Sequence, residues 1–322
     1  MRDFRAQTFI LSICIPTYNR CNELTRTINS IVSQKRFIES NIIELVVVDN
    51  CSSDDTSKVC LDYKRKFPNT FFYYKNQDNI KEANVEKCLR LGRGKYLKLN
   101  NDTLVHREGS LDHYLNIIFP FIRDQNCVRP FIFFGNGNLK IKSQKIIYTI
   151  NDFVKVVSFY STWIASFGIW KDQLNELTNL YSIQKYKLIN DVVIESILLS
   201  DFIIIDNSVN CISITPNKKS GYNFYEVFIN NYISHLEKVY KSGDITLITF
   251  ITEKFKLLIK YIIPWSFEIF TKRKQFEFDT MGACKIFFSK YYPPLYLVVS
   301  LLFLFVYMGQ NIISFISRKF NK

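Results

Sequence analysis

Apolar runs alternate with amphipathic segments over about the first 105 residues of the chain. The apolar runs are FILSICI, IIELVVVD, TFFYYKN and KYLKLN, and the segments between them, such as NELTRTINSIVSQ and EANVEKCLRLG, have helical spacing. Apolar strands with little alternation are typical of a parallel sheet that helices cover on both faces. The pattern therefore predicts an α/β fold of the doubly wound kind.

Polar side chains collect directly after these predicted strands. They are Thr17, Tyr18 and Asn19; Asp49 and Asn50; Asn76; and Asn100, Asn101 and Asp102. In open α/β sheets, ligands bind in the crevice at the carboxyl ends of the strands. Turn formation is the simpler explanation for any one of these groups. Together, they predict one crevice in which several polar strand ends meet.

The pattern is mixed between about residues 128 and 215. Two apolar stretches, RPFIFFGNGNLKI and KIIYTI, predict a hairpin around Gly135 and Gly137, and LINDVVIESILLSD predicts a helix. Residues 222–263 have helical spacing, with an expected end at Pro264. We expect three regions: a catalytic domain over residues 1–220, an amphipathic helical region over 221–292 and an apolar tail over 293–322.

The tail PPLYLVVSLLFLFVYMGQNIISFISRKFNK has the composition of a membrane-associating segment. A spanning helix needs about 20 apolar residues, and Gln310 and Asn311 interrupt this run. Basic residues lie on both sides of it, so a single span would place one basic cluster on the unfavoured side of the membrane. An anchor in the membrane plane is therefore favoured over a span. A helix packed on the core or on a partner subunit is the alternative.

The chain has 322 residues and a net charge of +13, from 42 basic and 29 acidic side chains. The basic residues form none of the usual nucleic-acid-binding motifs, so we expect no nucleic-acid partner. An anionic membrane surface or a phosphorylated substrate fits this charge. The eight cysteines have neither CxxC nor metal-ligand spacing, and the N-terminus lacks a secretory signal. Both features favour a cytoplasmic catalytic region with reduced thiols.

Four segments, in this order, resemble the N-terminal GT-A domain of family 2 glycosyltransferases. They are SICIPTYNR at 12–20, VVVDNCSSDDT at 46–56, NIKEANVEKCLRLGRGKYLKLNND at 79–102 and NDVVIESILL at 190–199. The likeness covers roughly residues 10–215, and IPTYNR and the DN-S-D-T turn are most similar to the abequosyltransferase-like branch of O-antigen enzymes. The resemblance implies a Rossmann-like GT-A fold and a nucleotide-sugar donor.

The resemblance also implies which residues bind the donor. These are Pro16, Thr17, Tyr18, Asp49, Asn79, Asn84 and Asn101. Asp49 matches the family carboxylate that holds the base or ribose, and an acceptor at a strand end suits a donor N–H or hydroxyl. The alternative for Asp49 is an ordinary capping turn, and we expect Asp54 or Asp55 to cap the following helix.

The motif NND lies where the family carries its acidic metal-binding motif. Asp102 matches the final aspartate and is the expected ligand of Mg²⁺ or Mn²⁺, which prefer hard oxygen ligands. A cation there neutralises the leaving diphosphate. Asn100 and Asn101 depart from the family pattern, because an amide oxygen ligates without bringing negative charge. We expect weak metal affinity or a site completed by the donor, and the alternative is a site that has lost its metal.

The resemblance implies an inverting transfer, in which a carboxylate takes the proton of the acceptor hydroxyl. The family places this base at a helix start, which matches Asp191, with Asn190 in the position of the usual glutamate. Its alternative role is to stabilise the helix N-terminus. Glu195, one helical turn later, is the reserve candidate. Trp163 lies where the family shapes the acceptor pocket, whereas the other two tryptophans and the three histidines are expected to pack.

Together these features predict an enzyme at the cytoplasmic face of the inner membrane, either peripheral or tail-anchored. It would transfer one sugar to a lipid-linked saccharide acceptor in O-antigen or capsule synthesis. A non-catalytic nucleotide-sugar-binding or scaffolding subunit is the alternative, and the three asparagines at acidic family positions motivate it. The donor nucleotide and the sugar do not follow from the sequence.

Overall fold

A computed structural model describes residues 8–122, 129–177, 188–214, 219–271, 276–291 and 297–309. The chain divides into two compact units, Met1–Pro216 and Asn217–Lys322. The expected division into a catalytic domain, an amphipathic helical region and an apolar tail stays a prediction.

The first unit contains ten strands and eight α-helices among its described residues. Its strands are β1 (Leu11–Thr17), β2 (Ile43–Asp49), β3 (Phe71–Lys75), β4 (Tyr96–Leu99), β5 (Leu104–His106), β6 (Phe131–Phe134), β7 (Gln144–Ile147), β8 (Gly168–Trp170), β9 (Ile203–Asp206) and β10 (Cys211–Ser213). Its helices are α1 (Cys21–Val32), α2 (Lys35–Ser40), α3 (Thr56–Lys66), α4 (Ala83–Leu91), α5 (Ser110–Ile118), α6 (Ile150–Val157), α7 (Lys171–Glu176) and α8 (Leu188–Leu198).

The main sheet has five strands in the order β3-β2-β1-β4-β8. The first four strands are parallel, and β8 pairs with β4 in the antiparallel direction. The predicted mostly parallel α/β sheet is therefore confirmed. Six of the seven residues of β1 are buried, and so is every residue of β2. Flanking helices exclude water from both faces, which is why these strands are apolar at consecutive positions.

The predicted hairpin around Gly135 and Gly137 is wrong. Strands β6 and β7 both pair with β9, which lies between them in a three-stranded sheet. β6 is parallel to β9, and β7 is antiparallel to it. The central position suits the sequence of β9, IIID, since all four of its residues are buried. β9 is distant along the chain, so the local pattern around the two glycines carried no sign of it.

A buried carboxylate ties β2 to β1 and to the loop that enters β4. Glu44 is fully buried; its Oε1 accepts hydrogen bonds from Ser12 Oγ and the Arg93 amide, and its Oε2 accepts two from the Arg93 guanidinium at 2.8 and 2.9 Å. Gly94 donates its amide to Ser12 Oγ at 2.7 Å, and a Cβ there would lie 2.6 Å from the Ser12 amide nitrogen. The glycine is therefore required by close packing against β1.

We expect Glu44→Ala to lower the free energy of unfolding by about 2–4 kcal/mol. Removing one partner of a wholly buried ion pair costs about 3–5 kcal/mol, and the loss is smaller here because Arg93 is half exposed and reaches water. Urea unfolding measures the change. Asp112→Ala is the control, because the Arg36–Asp112 pair is exposed on both sides and such pairs contribute about 0–1 kcal/mol. Equal losses in the two variants would contradict the prediction.

The second unit is mainly helical. Its helices are α9 (Tyr232–Lys241), α10 (Leu247–Leu257), α11 (Ile263–Thr271), α12 (Ala283–Lys290) and one over 297–309, and its strands β11 (Lys219–Asn223) and β12 (Phe276–Asp279) pair in parallel. The predicted helix end at Pro264 is wrong, because the helical path continues to Thr271. A π-helical turn over Leu258–Ile262 precedes the proline, and Pro264 is the second residue of the next α-helical segment. Proline is tolerated in the first turn of a helical segment.

Within the described part of the second unit, several helical positions expose apolar side chains. On α10 these are Leu247, Ile248, Ile251 and Phe255; on the helix over 297–309 they are Leu297, Val298, Leu301, Leu302, Phe305, Val306 and Met308. The ring centroids of Phe255 and Phe303 lie 6.4 Å apart, so the two helices are in contact. No described helix combines the length and apolar character that crossing a membrane requires. Residues 310–322 of the predicted tail lie outside the described residues.

Candidate functional site

The ends of β1 and β4 meet at the point where the order of the main sheet reverses. Thr17, the last residue of β1, donates a hydrogen bond from Oγ1 to Asp102 Oδ2 at 2.9 Å. β2 and β3 lie on one side of β1, and β4 lies on the other. Parallel sheets bind ligands outside the carboxyl ends of the strands at such a reversal. The structure therefore brings two of the predicted site residues together at the expected position.

Arg20 pairs with the same carboxylate. Its Nη1 donates to Asp102 Oδ1 at 2.9 Å; the Asp102 side chain is 6% exposed and that of Arg20 is 35% exposed. Thr27, on α1, donates its hydroxyl to the Asp102 backbone carbonyl at 2.9 Å. Burial raises the pKa of the Asp102 carboxyl, and the Arg20 charge opposes that shift. Thr17 and Arg20 thus hold the carboxylate of Asp102, and Thr27 holds its backbone.

The two amides of the NND motif have different roles. Asn100 is buried; its Oδ1 lies 3.0 Å from His106 Nε2, and its Nδ2 donates to the Asn101 carbonyl at 2.9 Å. The side-chain oxygen of Asn101, in contrast, is buried without a hydrogen-bond partner. An unpaired buried carbonyl oxygen is costly, because it has lost its water. Asn101 therefore carries an oxygen that a ligand could use, whereas Asn100 positions the turn.

These residues fit a divalent cation only as a partial ligand set. The motif offers the Asp102 carboxylate and the unpaired Asn101 oxygen, both hard ligands of the type that Mg²⁺ and Mn²⁺ bind. Among the described residues, no three His, Cys, Asp or Glu side chains form a group that would hold a metal. Mg²⁺ commonly takes one or two carboxylates and completes its shell with substrate phosphates and waters. The donor set therefore suits a cation that arrives together with a diphosphate.

His106, which contacts the motif, should make the free energy of unfolding depend on pH. Burial, with a smaller contribution from Lys98, lowers the pKa of His106 to about 3, against about 6.5 for an unfolded histidine. Below pH 6.5 the unfolded chain binds a proton that the folded protein rejects until about pH 3, so stability falls as the pH falls through this window. We expect a loss of about 2 kcal/mol from this site between pH 7 and pH 5.

Comparison of wild type with His106→Gln by urea unfolding at pH 7 and pH 5 tests this expectation. The variant should lose less stability over the interval, since glutamine does not titrate. His113→Gln is the control, because His113 is partly exposed and pairs with Asp206 at 3.0 Å. An unchanged pH dependence in His106→Gln would show that the neutral imidazole does not have this effect.

Both carboxylate oxygens of Asp49, at the end of β2, accept hydrogen bonds from other groups of the protein. It is fully buried; Oδ1 accepts the Ser52 amide at 2.8 Å, and Oδ2 accepts the hydroxyls of Tyr73 at 2.9 Å and Ser57 at 3.3 Å. The alternative of a capping turn thus describes the observed contacts, and the predicted contact with the donor stays a prediction. Asp55 is the N-cap residue of α3 but makes no side-chain cap hydrogen bond, whereas Asp54, one residue earlier, accepts the Thr56 amide at 3.1 Å.

Four asparagines after β2 and β3 form an amide network. Asn76 Nδ2 donates to Asn50 Oδ1 at 3.0 Å and to Asn84 Oδ1 at 2.8 Å, and Asn50 Nδ2 donates to Asn79 Oδ1 at 2.7 Å. Asn84 is buried and its Nδ2 donates to the Val48 carbonyl, so it supports the loop from inside. Asn79 is exposed at the protein surface. Of the two predicted donor residues, Asn79 is the accessible one.

Pro16 and Tyr18 flank Thr17 at the end of β1. Pro16 is half-buried, whereas Tyr18 is 45% exposed. An exposed aromatic ring at a strand end offers a flat apolar surface to a ligand. Asn19 has a φ of 50°, and its Oδ1 accepts the Ser53 amide at 2.8 Å, which joins the loops after β1 and β2.

The predicted base lies at the start of α8, as the sequence suggests. Asp191 is helical, but its side chain lies outside the described part of the structure. Glu195, the reserve candidate, is one turn further and half-buried. Both assignments stay predictions.

Trp163 is partly buried and packs against a small cluster that includes Leu104, which follows the NND motif. Trp170 is buried and donates its indole N–H to the Pro130 carbonyl, so it packs as expected.

Sequence reasoning missed Arg20, Thr27 and His106 as partners of the motif. Arg20 lies within IPTYNR and directly after the polar end of β1, which was an available signal. His106 carried none, because its contact with Asn100 depends on how the chain turns between β4 and β5.

The described cysteines are all free; Cys14, Cys60, Cys88 and Cys211 are buried, whereas three others are at least partly exposed, and Cys127 lies outside the described residues.

The chain is similar to several known bacterial proteins, two of which are described here. The chain is 30% identical over 174 residues to the minor teichoic acid biosynthesis protein GgaB of Bacillus subtilis, covering 52% of this chain and 19% of GgaB. It is 33% identical over 127 residues to abequosyltransferase RfbV of Salmonella typhimurium, covering 37% of each. The matches therefore span well under half of either relative.

Solved structures share the fold at low sequence identity. TarS 1–349 of S. aureus in complex with UDP-GlcNAc has a TM-score of 0.54 at 15% identity, covering 72% of this chain and 66% of that one. The mannosyltransferase PcManGT of Pyrobaculum calidifontis, in complex with GDP-Man and Mn²⁺, has a TM-score of 0.54 at 13% identity, covering 95% and 88%. These likenesses establish a GT-A-like fold.

Residues 12–176 match the family described as glycosyl transferase family 2. This segment is just over half of the chain. It contains β1 from its second residue onward, the Arg20–Asp102 pair and the complete NND motif. The chain therefore belongs to glycosyl transferase family 2.

Proposed function

We propose that this chain is a glycosyltransferase that moves one sugar from a nucleotide-sugar donor to a lipid-linked saccharide during synthesis of a bacterial surface polysaccharide. The observation that carries the proposal is the contact of Thr17 and Arg20 with Asp102 at the reversal of the sheet. The named activities of RfbV and the named pathway of GgaB support the substrate class. We propose O-antigen or teichoic-acid-like polymers as the product class.

The donor is proposed to lie across the carboxyl ends of β1, β2 and β4. Tyr18 would contact the base or ribose through its exposed ring, with Pro16 and Asn79 at the edge of the same crevice. The Asn101 oxygen and the Asp102 carboxylate would face the diphosphate. Complexes of TarS with UDP-GlcNAc and of PcManGT with GDP-Man support a nucleotide-sugar donor for this fold.

The proposed reaction is a single displacement with inversion. The acceptor hydroxyl oxygen forms a bond to the anomeric carbon while the bond from that carbon to the diphosphate oxygen breaks. Asp191 takes the hydroxyl proton, and the nucleoside diphosphate leaves with the electron pair of the broken bond. Asp102 and Asn101 would hold Mg²⁺ or Mn²⁺, which, when bound, would supply positive charge to the diphosphate.

We also propose that the second unit docks on the cytoplasmic face of the inner membrane. The exposed apolar residues of α10 and of the helix over 297–309 supply apolar surface, and Lys260 and Lys241 lie exposed in the same unit. Amphipathic helices of this kind bind in the membrane interface, and basic residues strengthen binding to anionic lipids. Such docking would place the catalytic unit where a lipid-linked acceptor resides.

Vesicle co-sedimentation tests this docking. Wild type should bind vesicles that contain phosphatidylglycerol more strongly than vesicles of phosphatidylcholine alone. Ile248→Glu combined with Ile251→Glu should weaken binding roughly tenfold or more, because two charges enter the apolar face. Ile146→Glu, a comparably exposed position of the first unit, is the control. Equal binding by all three proteins would argue against docking through this face.

Donor use is tested by calorimetric titration with UDP-, GDP-, CDP- and dTDP-sugars, each with Mn²⁺ or with EDTA. Tight binding of one nucleotide class would support the donor site and identify the base. Transfer of the sugar to a lipid-linked acceptor, with release of nucleoside diphosphate, would support the enzyme. Binding without turnover would favour the non-catalytic subunit, which the neutral amides at Asn100 and Asn101 motivate. Folded protein that binds no donor would refute the proposal.

A further inference from the structure

We propose that Arg20 is a diphosphate-binding residue, which Asp102 holds in the free protein and which competes with the divalent cation for that carboxylate. The inference rests on the proposed function, because it assigns a new residue to the same donor site. Asp102, the candidate metal ligand, already has a cationic partner, because Arg20 Nη1 lies 2.9 Å from Asp102 Oδ1.

The charges at the motif make this partner significant. NND brings one negative charge, because two of its three positions are amides, and Arg20 brings one positive charge. The pair is therefore neutral before any ligand arrives. A divalent cation on Asp102 would lie close to the guanidinium, and like charges that share a partly buried site oppose one another. Arg20 must weaken metal binding as long as it remains on Asp102.

The geometry of Arg20 suits a second role. It directly precedes α1, and its side chain is 35% exposed while that of Asp102 is 6% exposed. The guanidinium has five N–H groups, and the contact with Asp102 uses Nη1. The other N–H groups of the guanidinium are the ones that could donate to an anion in the crevice. Planar N–H pairs match phosphate oxygens, and a diphosphate is the anion that a nucleotide sugar brings to this crevice.

Arrival of the diphosphate would then change the partners of both side chains. The guanidinium would donate to phosphate oxygens, and its hold on Asp102 would weaken. The carboxylate would be released for a cation that the phosphate oxygens also bind. Metal binding would therefore be weak in the free protein and stronger with nucleotide present. The phosphate oxygens would strengthen metal binding by themselves, and the release of Asp102 by Arg20 would add to this coupling.

The test compares wild type with Arg20→Ala and Arg20→Lys in two titrations. In EDTA, UDP, GDP, CDP and dTDP are titrated beside their monophosphates. Wild type should prefer one diphosphate to its monophosphate, and Arg20→Ala should bind that diphosphate roughly tenfold more weakly, since a charge-assisted hydrogen bond to phosphate is lost. Arg20→Lys should fall between the two, because it keeps the charge without the planar pair.

The second titration uses Mn²⁺ alone, followed by electron paramagnetic resonance. Here Arg20→Ala should bind the metal several-fold more tightly than wild type, the opposite direction to the nucleotide result. Arg90→Ala is the matched control: Arg90 pairs with Glu86 at 2.7 Å and is 32% exposed, but lies in the last turn of α4, which leads to the other end of the sheet. It should change neither affinity.

A general loss of folding would weaken both ligands, so opposite shifts exclude it. If Arg20→Ala binds the diphosphate as well as wild type does, the assignment of Arg20 is wrong while the proposed function stands. If its Mn²⁺ affinity does not rise, the competition for Asp102 is wrong. If wild type binds no nucleotide in EDTA and no nucleotide sugar in Mn²⁺, the proposed function and this inference both fail.

Discussion

Asp102→Asn is expected to lower sugar transfer about 10²–10³-fold while the protein stays folded. Asparagine keeps the shape of the side chain and still accepts the Thr17 hydroxyl, so the turn after β4 should persist. It loses the negative charge that pairs with Arg20 and that, under the proposed function, would bind the cation. Removal of one electrostatic group that acts on the developing charge of a transition state commonly costs this much in turnover.

The measurement is kcat/KM for donor in a steady-state transfer assay, together with donor titration in Mn²⁺ and in EDTA. Wild type should bind donor more tightly in Mn²⁺, and the variant should show little difference between the two conditions. Asp112→Asn is a suitable control, because Asp112 is an exposed carboxylate paired with Arg36 away from the sheet reversal. Transfer at the wild-type rate by Asp102→Asn would remove Asp102 from the mechanism.

Asp191→Asn is expected to lower kcat about 10²–10⁴-fold with little change in donor affinity. These are the usual limits for loss of a general base. An amide cannot accept the hydroxyl proton, so the chemical step slows, whereas the predicted donor contacts on β1, β2 and β4 remain. Donor affinity measured by calorimetry separates this effect from a loss of binding.

Glu195→Gln should differ from wild type by no more than a few-fold. It lies one turn further along α8 and is half-buried, which makes it a close structural match for the test. If Glu195→Gln is the inactive variant and Asp191→Asn is active, the base has been assigned to the wrong carboxylate. If both variants retain full kcat, the proton acceptor lies elsewhere in the protein.

The predicted elements of the first hundred residues agree closely with the structure. β1, β2, β3 and β4 all lie within or beside their predicted runs, as do α1, α3 and α4, whereas the short helix α2 was not predicted. The reason is that hydrophobic periodicity within one element is a local property. The same local signal failed for β6 and β7, whose shared partner β9 follows far along the chain.

In the candidate site, too, some features followed from the local sequence and others depended on tertiary contacts. The sequence predicted that polar strand ends would converge, and it identified Thr17 and Asp102, whose contact joins residues 85 positions apart. For Asp49 it left a donor contact and a capping turn open, because burial depends on what packs over the strand end. Nor did it distinguish Asn100 from Asn101, since only the position of His106 decides which amide oxygen is already bonded.

The sequence by itself determined the class of the fold, the family and the edge of the sheet where the site lies. Each follows from local periodicity or from ordered motifs. The tertiary structure decided the partners of each polar group: Arg20 on Asp102, His106 on Asn100 and the unpaired oxygen of Asn101. Hydrogen bonds and ion pairs act over a few ångströms in space, and distance along the chain does not specify which groups come that close.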